Sequence, residues 1–148
     1  MNDSQVEIVE LEEKHFVGIA VTVSFQRHDP ERIREASQLF YARRKEISGI
    51  VNEQQYVCPH FANDLLFTYI YSMEVSEVRD IPKGMIGFSI PSQKYAKVRT
   101  KDQDPYKLIK TYLRDNGFEN NERSVALEIF KFGEDQHVNH ADIFVPIK

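Results

Sequence analysis

The sequence predicts an α+β fold: one domain in which two βαββ-type halves form an antiparallel sheet with two main helices and a central cleft. The length of 148 residues is common for a single domain with its own hydrophobic core. An aspartate followed by proline occurs twice, at Asp29-Pro30 and Asp104-Pro105, and apolar residues follow each pair at helical spacing. Strand-like segments stand before and after both helices. This repeated order of elements predicts the duplicated fold.

Each predicted helix has a start signal and a stop signal. Asp caps free backbone amides at a helix start, and Pro suits the first helical position because it has no N–H to leave unpaired. Gly49 and Gly117 are the expected stops. The predicted apolar faces are Ile33, Ala36, Phe40 and Ile47 in the first helix, and Leu108, Ile109, Tyr112 and Leu113 in the second.

The predicted strands alternate apolar and polar residues or are rich in β-branched and aromatic types. Such residues favour an extended backbone. We expect these segments to form the antiparallel sheet that packs against the helices. They are residues 6–12, 16–25, 66–75, 85–90, 95–100, 125–132 and 141–147.

The two halves also resemble each other in sequence. EKHFVGI at 13–19 and SQKYAKV at 92–98 both place a basic residue before an aromatic one. We expect pseudo-repeats of approximately 1–80 and 81–148 within one domain of residues 1–148. Pro82-Lys83-Gly84 is a turn between them and is too short to be a free linker. Two halves related by a pseudo-two-fold axis leave a cleft at their join, where small molecules often bind.

Composition and charge exclude several classes of protein. No stretch approaches the roughly 20 apolar residues of a membrane-spanning helix, and the N-terminus lacks the parts of a signal peptide. A single cysteine, Cys58, fits a reducing compartment. The net charge of -4 argues against direct nucleic-acid binding, since residues 43–45 form the only basic cluster. We therefore expect a soluble, cytoplasmic protein that contacts neither membrane nor nucleic acid directly.

Glu128 is the most informative candidate site residue. Strand alternation places Ala126, Glu128, Phe130 and Phe132 on one face, where burying an uncompensated carboxylate would cost several kcal/mol. One interpretation is that Glu128 meets a cationic ligand, with aromatic rings adding cation–π attraction. The other is that it is exposed at a strand end or paired with an arginine. Alternation alone leaves both open.

The strand at 66–75 supplies further candidates. Alternation puts Phe67, Tyr69, Tyr71, Met73 and Val75 on one face, with Glu74 on the other. A tyrosine suits an apolar site that must also orient a ligand, because its ring carries a polar tip. The same aromatic face also fits a plain hydrophobic core, and Glu74 fits a solvent-facing edge. Which face lines the cleft is left open.

Metal and catalytic motifs are weak or missing. Cys58 and His60 share a strand face, and His137 and His140 lie close in sequence, but nothing fixes their mutual distances. No GxSxG, GxxxxGK[ST], HExxH or GxGxxG motif occurs. We therefore predict no metal, no cofactor and no catalytic residues.

A set of short sequence pieces occurs in a fixed order along the chain. They are FVG at 16–18, YIYSMEV at 69–75, IPKGM at 81–85, IP at 90–91, KYA at 94–96, YL at 112–113, GF at 117–118, LEIF at 127–130 and IFVPI at 143–147. In these pieces the chain resembles the GyrI-like effector-binding domains, which also occur fused to AraC-type and MerR-type transcription regulators. The resemblance spans nearly the whole chain, and its order and spacing make it fairly specific.

The resemblance implies a central ligand cleft that in several relatives takes lipophilic cations. Glu128 falls on the family's pocket glutamate and Glu74 on a second recurrent glutamate. Tyr112 stands where a tryptophan is frequent, and Phe130 stands where a tyrosine is common, so the ligand can differ from the well-known cations. The candidate ligand-binding residues are Glu128, Tyr69, Tyr71, Tyr95, Phe130, Glu74 and Tyr112.

The function predicted first is therefore noncatalytic binding of a lipophilic or cationic small molecule, in a bacterial regulator-related domain without its own DNA reader. Two alternatives stay open, because relatives in each class exist. The first is hydrolysis of a small electrophile by a pocket glutamate that activates water. The second is binding to a protein partner, either a regulator or DNA gyrase.

Overall fold

The computed structural model describes residues 5–27, 29–100, 103–137 and 141–148. These residues form one mixed structure of strands and helices. The strands are β1 (Glu7–Leu11), β2 (Lys14–Ser24), β3 (Gln55–Ala62), β4 (Leu66–Val75), β5 (Ile86–Ile90), β6 (Gln93–Val98), β7 (Ala126–Lys131) and β8 (Asp142–Pro146). The helices are α1 (Pro30–Arg43) and α2 (Pro105–Asn116), and a short 3-10 turn, Arg44–Glu46, follows α1.

All eight strands belong to one antiparallel sheet, in the order β1-β6-β8-β7-β3-β4-β2-β5. Strands β3 and β7 pair at its centre, with β4 and β2 on one side and β8 and β6 on the other. The order is symmetric about this central pair. The predicted α+β fold of two βαββ-type halves is confirmed.

The outer strands are exchanged between the halves. Strand β1 precedes β2 in sequence but pairs with β6, and β5 precedes β6 but pairs with β2. Each half thereby covers the edge of the other half. Such an exchange shields backbone groups that an edge strand would expose.

Both helix starts follow the predicted capping chemistry. The Asp29 side chain accepts a hydrogen bond from the backbone N–H of Glu31, and Asp104 accepts from Tyr106 and Lys107. Gly117 ends α2 in the left-handed conformation, as predicted, with φ of 74°. None of the helices in the described part of the chain is long and apolar enough to cross a membrane.

The first helix ends earlier than its apolar pattern predicts. It stops at Arg43, and Ile47 lies beyond the 3-10 turn in extended backbone with ψ of 127°. Ile47 is nevertheless buried in the core. The prediction that Ile47 is buried is therefore confirmed, but its placement in the first helix is wrong.

The two faces of the sheet carry separate hydrophobic clusters. The helix-side face packs against α1 and α2 and includes Tyr69, Tyr71 and Phe130. The opposite face carries Phe16, Val57, Ile90, Tyr95, Leu127 and Phe144. The alternation predicted for β4 and β7 is confirmed by this division of residues.

Candidate functional site

The carboxylate of Glu128 lies on the helix-side face, near the centre of the sheet. Glu128 is opposite Cys58 in the β3–β7 register and is only 7% exposed. The Tyr69 hydroxyl donates to Glu128 Oε1 at 2.6 Å, and the Tyr106 hydroxyl donates to Oε2. Each carboxylate oxygen therefore has its own phenol donor, one from β4 and one from the first turn of α2.

Both tyrosines are held in the protonated form. Burial raises the pKa of Tyr69 and of Tyr106 well above the ordinary tyrosine value. The negative charge of Glu128 acts in the same direction on both pKa values. These hydroxyls consequently remain hydrogen-bond donors to the carboxylate across the physiological pH range.

Glu128 has no cationic partner among the described residues. Every arginine of the chain lies within the described ranges, and none forms an ion pair with Glu128. The two simple structural interpretations, exposure at a strand end or pairing with an arginine, therefore do not describe this residue. Its two tyrosine donors replace only part of the hydration that a carboxylate loses on burial.

Further polar side chains surround this centre. His60 Nε2 lies 3.2 Å from the Tyr106 hydroxyl oxygen, and the His60 ring stacks on Tyr69 at 5.7 Å. Gln136 Nε2 donates to the Tyr69 and Tyr71 hydroxyls at 3.3 and 3.5 Å. The carboxylate therefore lies within a connected polar network on an otherwise apolar face.

Aromatic rings extend from the network across the helix-side face. Tyr71 lies edge-on to Tyr69 at 5.2 Å and stacks on Phe40 of α1 at 6.1 Å. Phe130 stacks on Tyr56 at 5.3 Å. Burial raises the pKa of Tyr71 to about 12, so its hydroxyl also stays protonated. The buried region near Glu128 thus combines a carboxylate with several aromatic rings.

Comparison with known proteins assigns the chain to a family. The family model "Cass2: Integron-associated effector binding protein" matches residues 7–147. This chain belongs to the Cass2 family of effector-binding proteins. The resemblance to GyrI-like effector-binding domains is thereby confirmed. No curated protein sequence is similar enough to this chain to count as a match.

Several solved structures share the fold of this chain. SAV2435 bound to tetraphenylphosphonium gives a TM-score of 0.70 at 14% identity, covering 97% of this chain and 94% of that one. The EcmrR C-terminal domain gives 0.70 at 14% identity over 98% of both chains. A hydrolase encoded by lin2189 from Listeria innocua gives 0.55 at 7% identity, covering 98% and 92%. At these identities the similarity is one of fold alone.

The structure brings some of the predicted site residues together. Tyr69 contacts Glu128 directly, while Tyr71 shares Gln136 with Tyr69. Phe130 lies two residues further along β7 on the same face of the sheet. These four predicted residues are buried on the same face of the sheet.

Three other predicted residues lie elsewhere. Tyr95 belongs to the opposite face, where its ring meets Phe144 at 6.0 Å. Glu74 forms an ion pair with Lys14 at 3.5 Å, and strand alternation turns it away from Tyr69. Tyr112 stacks on Phe118 at 6.3 Å beyond the end of α2. Tyr112 also lines a groove of about 690 Å³, and Glu128 is not among the residues that line this groove.

Tyr106, His60 and Gln136 are the site residues that the sequence prediction omitted. Tyr106 could have been found, because it precedes buried Ile109 and Leu113 at three and seven positions, which is the spacing of one helix face. From the sequence, His60 is a candidate only for a metal ligand. No group of three or more His, Cys, Asp and Glu residues in the described ranges could hold a metal, and His140 lies outside those ranges.

Proposed function

We propose that this Cass2-family chain is a noncatalytic binding domain for a lipophilic, cationic small molecule, with Glu128 as its charged contact. The observation that carries the proposal is the buried carboxylate, which has two phenol donors and no cationic partner among the described residues. SAV2435, which shares the fold, is bound to tetraphenylphosphonium. That ligand is a cation enclosed by phenyl rings, so it has the chemistry that this surface would attract.

The energetics favour a cation over a neutral ligand. A buried carboxylate that keeps its charge loses hydration, and hydroxyl donors recover only part of that loss. A cation placed beside Glu128 supplies the missing electrostatic attraction in a region of low dielectric constant. The binding free energy of a cation would therefore include an electrostatic contribution in addition to that of apolar contact.

Aromatic rings would provide the apolar part of the site. Tyr69, Tyr71 and Tyr106 carry rings close to the carboxylate, and Phe130 extends the same face. A cation over such a ring gains about 0.5 to 2 kcal/mol of attraction. We place Tyr95, Tyr112 and Glu74 outside the site, because their contacts lie elsewhere.

A thermal shift experiment with tetraphenylphosphonium tests the charge role. The ligand should raise the Tm of the wild-type protein by mass action. Glu128→Gln should remove most of that gain, since losing a buried charged contact costs about 2 kcal/mol or more of binding free energy. Glu74→Gln is the matched control, because it makes the same change on the other sheet face and should keep the full gain. Equal Tm gains in both variants would contradict the proposal.

Hydrolysis of a small electrophile is the competing function. The Listeria neighbour is described as a hydrolase, but at 7% identity only its fold is shared. In this chain both oxygens of Glu128 already accept hydrogen bonds from tyrosines, so fewer of their lone pairs are open to a water molecule. Product analysis after incubation with strained or acylated substrates separates catalysis from binding.

Cytoplasmic location and a signalling role also belong to the proposal. The EcmrR domain of the same fold is the C-terminal part of a larger protein. By analogy, ligand binding here would act through a protein partner, such as a regulator, rather than through direct contact with nucleic acid.

A further inference from the structure

We propose that His60 is a pH-sensitive regulator of the Glu128 site: its protonated ring weakens the binding of a cationic ligand. The inference rests on the proposed function, since it concerns the same carboxylate. His60 lies in β3, immediately beyond Cys58 and Pro59, and its partly buried ring approaches the carboxylate through Tyr106. No feature of the sequence alone indicates this role.

The hydrogen bonds of Tyr106 fix the direction of its proton. A phenol has one proton to donate, and the charged oxygen Oε2 of Glu128 is a stronger acceptor than an imidazole nitrogen. The Tyr106 oxygen is then free only to accept from His60 Nε2, 3.2 Å away. In this arrangement Nε2 of His60 must carry a proton.

The second ring nitrogen of His60 also faces an acceptor. Nδ1 lies 3.3 Å from the backbone carbonyl oxygen of Cys58, which can accept a hydrogen bond but cannot donate one. A neutral imidazole carries one proton and can satisfy only one of these two oxygens. The imidazolium carries two protons and can donate to both.

The tyrosines and the thiol around His60 do not change protonation state near neutral pH. Tyr69 of β4 and Tyr106 of α2 stay protonated, because burial raises the pKa of each. Burial likewise raises the pKa of the neighbouring Cys58 thiol in β3. The nearby carboxylates are Glu128 of β7, reached through Tyr106, and the exposed Asp64 and Glu122, which line the same cavity as His60.

Protons can reach His60 from solvent. His60 and Tyr106 line an open cavity of about 360 Å³, together with Asp64 and Glu122. The ring therefore stands between this cavity and the buried carboxylate. When it is protonated, its positive charge offsets the charge of Glu128, and the attraction for a ligand cation falls.

Calorimetric titration with tetraphenylphosphonium at several pH values tests the inference. The probe has a fixed charge, so any pH dependence belongs to the protein. Between about pH 8 and pH 5, the range in which histidine ordinarily titrates, wild-type affinity should fall roughly 10-fold. His60→Gln should bind with nearly constant affinity over the same range, since a glutamine amide forms hydrogen bonds but carries no charge.

His137→Gln is the matched control, because His137 follows Gln136, which contacts Tyr69 and Tyr71. This variant should keep the wild-type pH profile. An unchanged pH profile in His60→Gln would overturn the inference. If the wild-type protein did not bind tetraphenylphosphonium at any pH, the proposed function itself would be overturned. The two failures are therefore distinguishable.

Nuclear magnetic resonance of the His60 ring nitrogens in the wild-type protein gives a test that needs no variant. Both nitrogens should become protonated over the pH range in which affinity falls. A ring that stays singly protonated throughout that range would contradict the inference.

Discussion

At the scale of single residues, the site depends on how Glu128 is held. Tyr69 and Tyr106 each donate to one of its oxygens, and they reach it from different elements. These donors allow the carboxylate to be buried at 7% exposure without an ion pair among the described residues. A carboxylate oxygen can accept more than one hydrogen bond, so Glu128 retains capacity for a further electrostatic contact.

Tyr106→Phe separates folding stability from ligand binding. The change keeps the ring but removes the donor to Glu128 Oε2, so the free energy of unfolding should fall by about 2 kcal/mol. The carboxylate then has fewer compensating contacts, and tetraphenylphosphonium should bind at least as tightly as to wild type. Denaturant unfolding and calorimetric titration measure the two effects.

Tyr95→Phe is the control for this prediction. It removes a hydroxyl that accepts from Gln93 on the opposite face of the sheet, and it should leave ligand affinity unchanged. If Tyr106→Phe instead abolished binding while Tyr95→Phe did not, the hydroxyl of Tyr106 would have to contact the ligand directly.

The sequence predicts some of these residues and not others for a physical reason. Strand alternation locates Glu128, Tyr69, Tyr71 and Phe130 on one face because that face follows from local periodicity. Alternation does not reveal that the face of Tyr95 is turned away from Glu128, since this depends on how distant strands pair. The contact between Tyr106 and Glu128 likewise joins α2 to β7 and has no local signal.

At the scale of elements, the close approach of β2 and β4 positions the site tyrosines. Gly18 in β2 pairs with Ser72 in β4, next to Tyr71. A Cβ at Gly18 would lie 2.0 Å from the Tyr71 carbonyl oxygen and 2.5 Å from Ser72 Cα. Because both atoms are backbone, the strand could not adjust without shifting β4. The glycine therefore permits the strand pairing that presents Tyr71 and Tyr69.

Gly18→Ala should be strongly destabilising. We expect the free energy of unfolding to fall by about 3 kcal/mol, since the added methyl group forces the two strands apart. Gly117→Ala is the comparison: its Cβ would meet nothing within 4 Å, so only the left-handed backbone opposes it, at about 1 kcal/mol. Chemical denaturation of both variants measures the difference, and equal losses would contradict the steric explanation.

Helix boundaries and strand boundaries differ in how far sequence predicts them. Both helix starts follow from Asp-Pro pairs, because capping is a local interaction. Strand β3 is not delimited by the sequence, since Pro59 interrupts a strand pattern and lacks the N–H that ladder pairing requires. The structure accommodates Pro59 at the centre of the sheet, and Ser72 Oγ donates to the nearby Val57 carbonyl at 2.8 Å.

At the scale of the whole molecule, the exchange of edge strands joins the two halves. Strand β1 completes the sheet beside β6, although it is connected in sequence to β2. Neither half has a complete set of paired strands without the other. The central β3–β7 pair, which holds Glu128, is thus supported from both sides.

Deleting residues 1–12 tests this exchange. The deletion removes apolar contacts of β1, including those of Ile8 and Val9, and should lower the free energy of unfolding by roughly 3 kcal/mol or more. Hydrogen exchange should show the loss of protection in β6, which is distant in sequence, rather than in β2. Loss confined to β2 would contradict the observed pairing.

The repeated order of elements predicts the duplicated fold because each half repeats the same local signals. The exchange of β1 and β5 has no such signal, since either edge of the sheet could accept either strand. The boundary between the pseudo-repeats, near residue 80, stays a prediction of the sequence analysis.

Paired titrations with tetraphenylphosphonium and tetraphenylborate test the central claim most directly. The two ions have nearly the same shape and opposite charge, so their difference in affinity isolates the electrostatic contribution of the site. The wild-type protein should bind the phosphonium and not the borate, and Glu128→Gln should remove most of that preference. Equal binding of both ions to the wild-type protein would contradict the assignment of Glu128 as the charged contact.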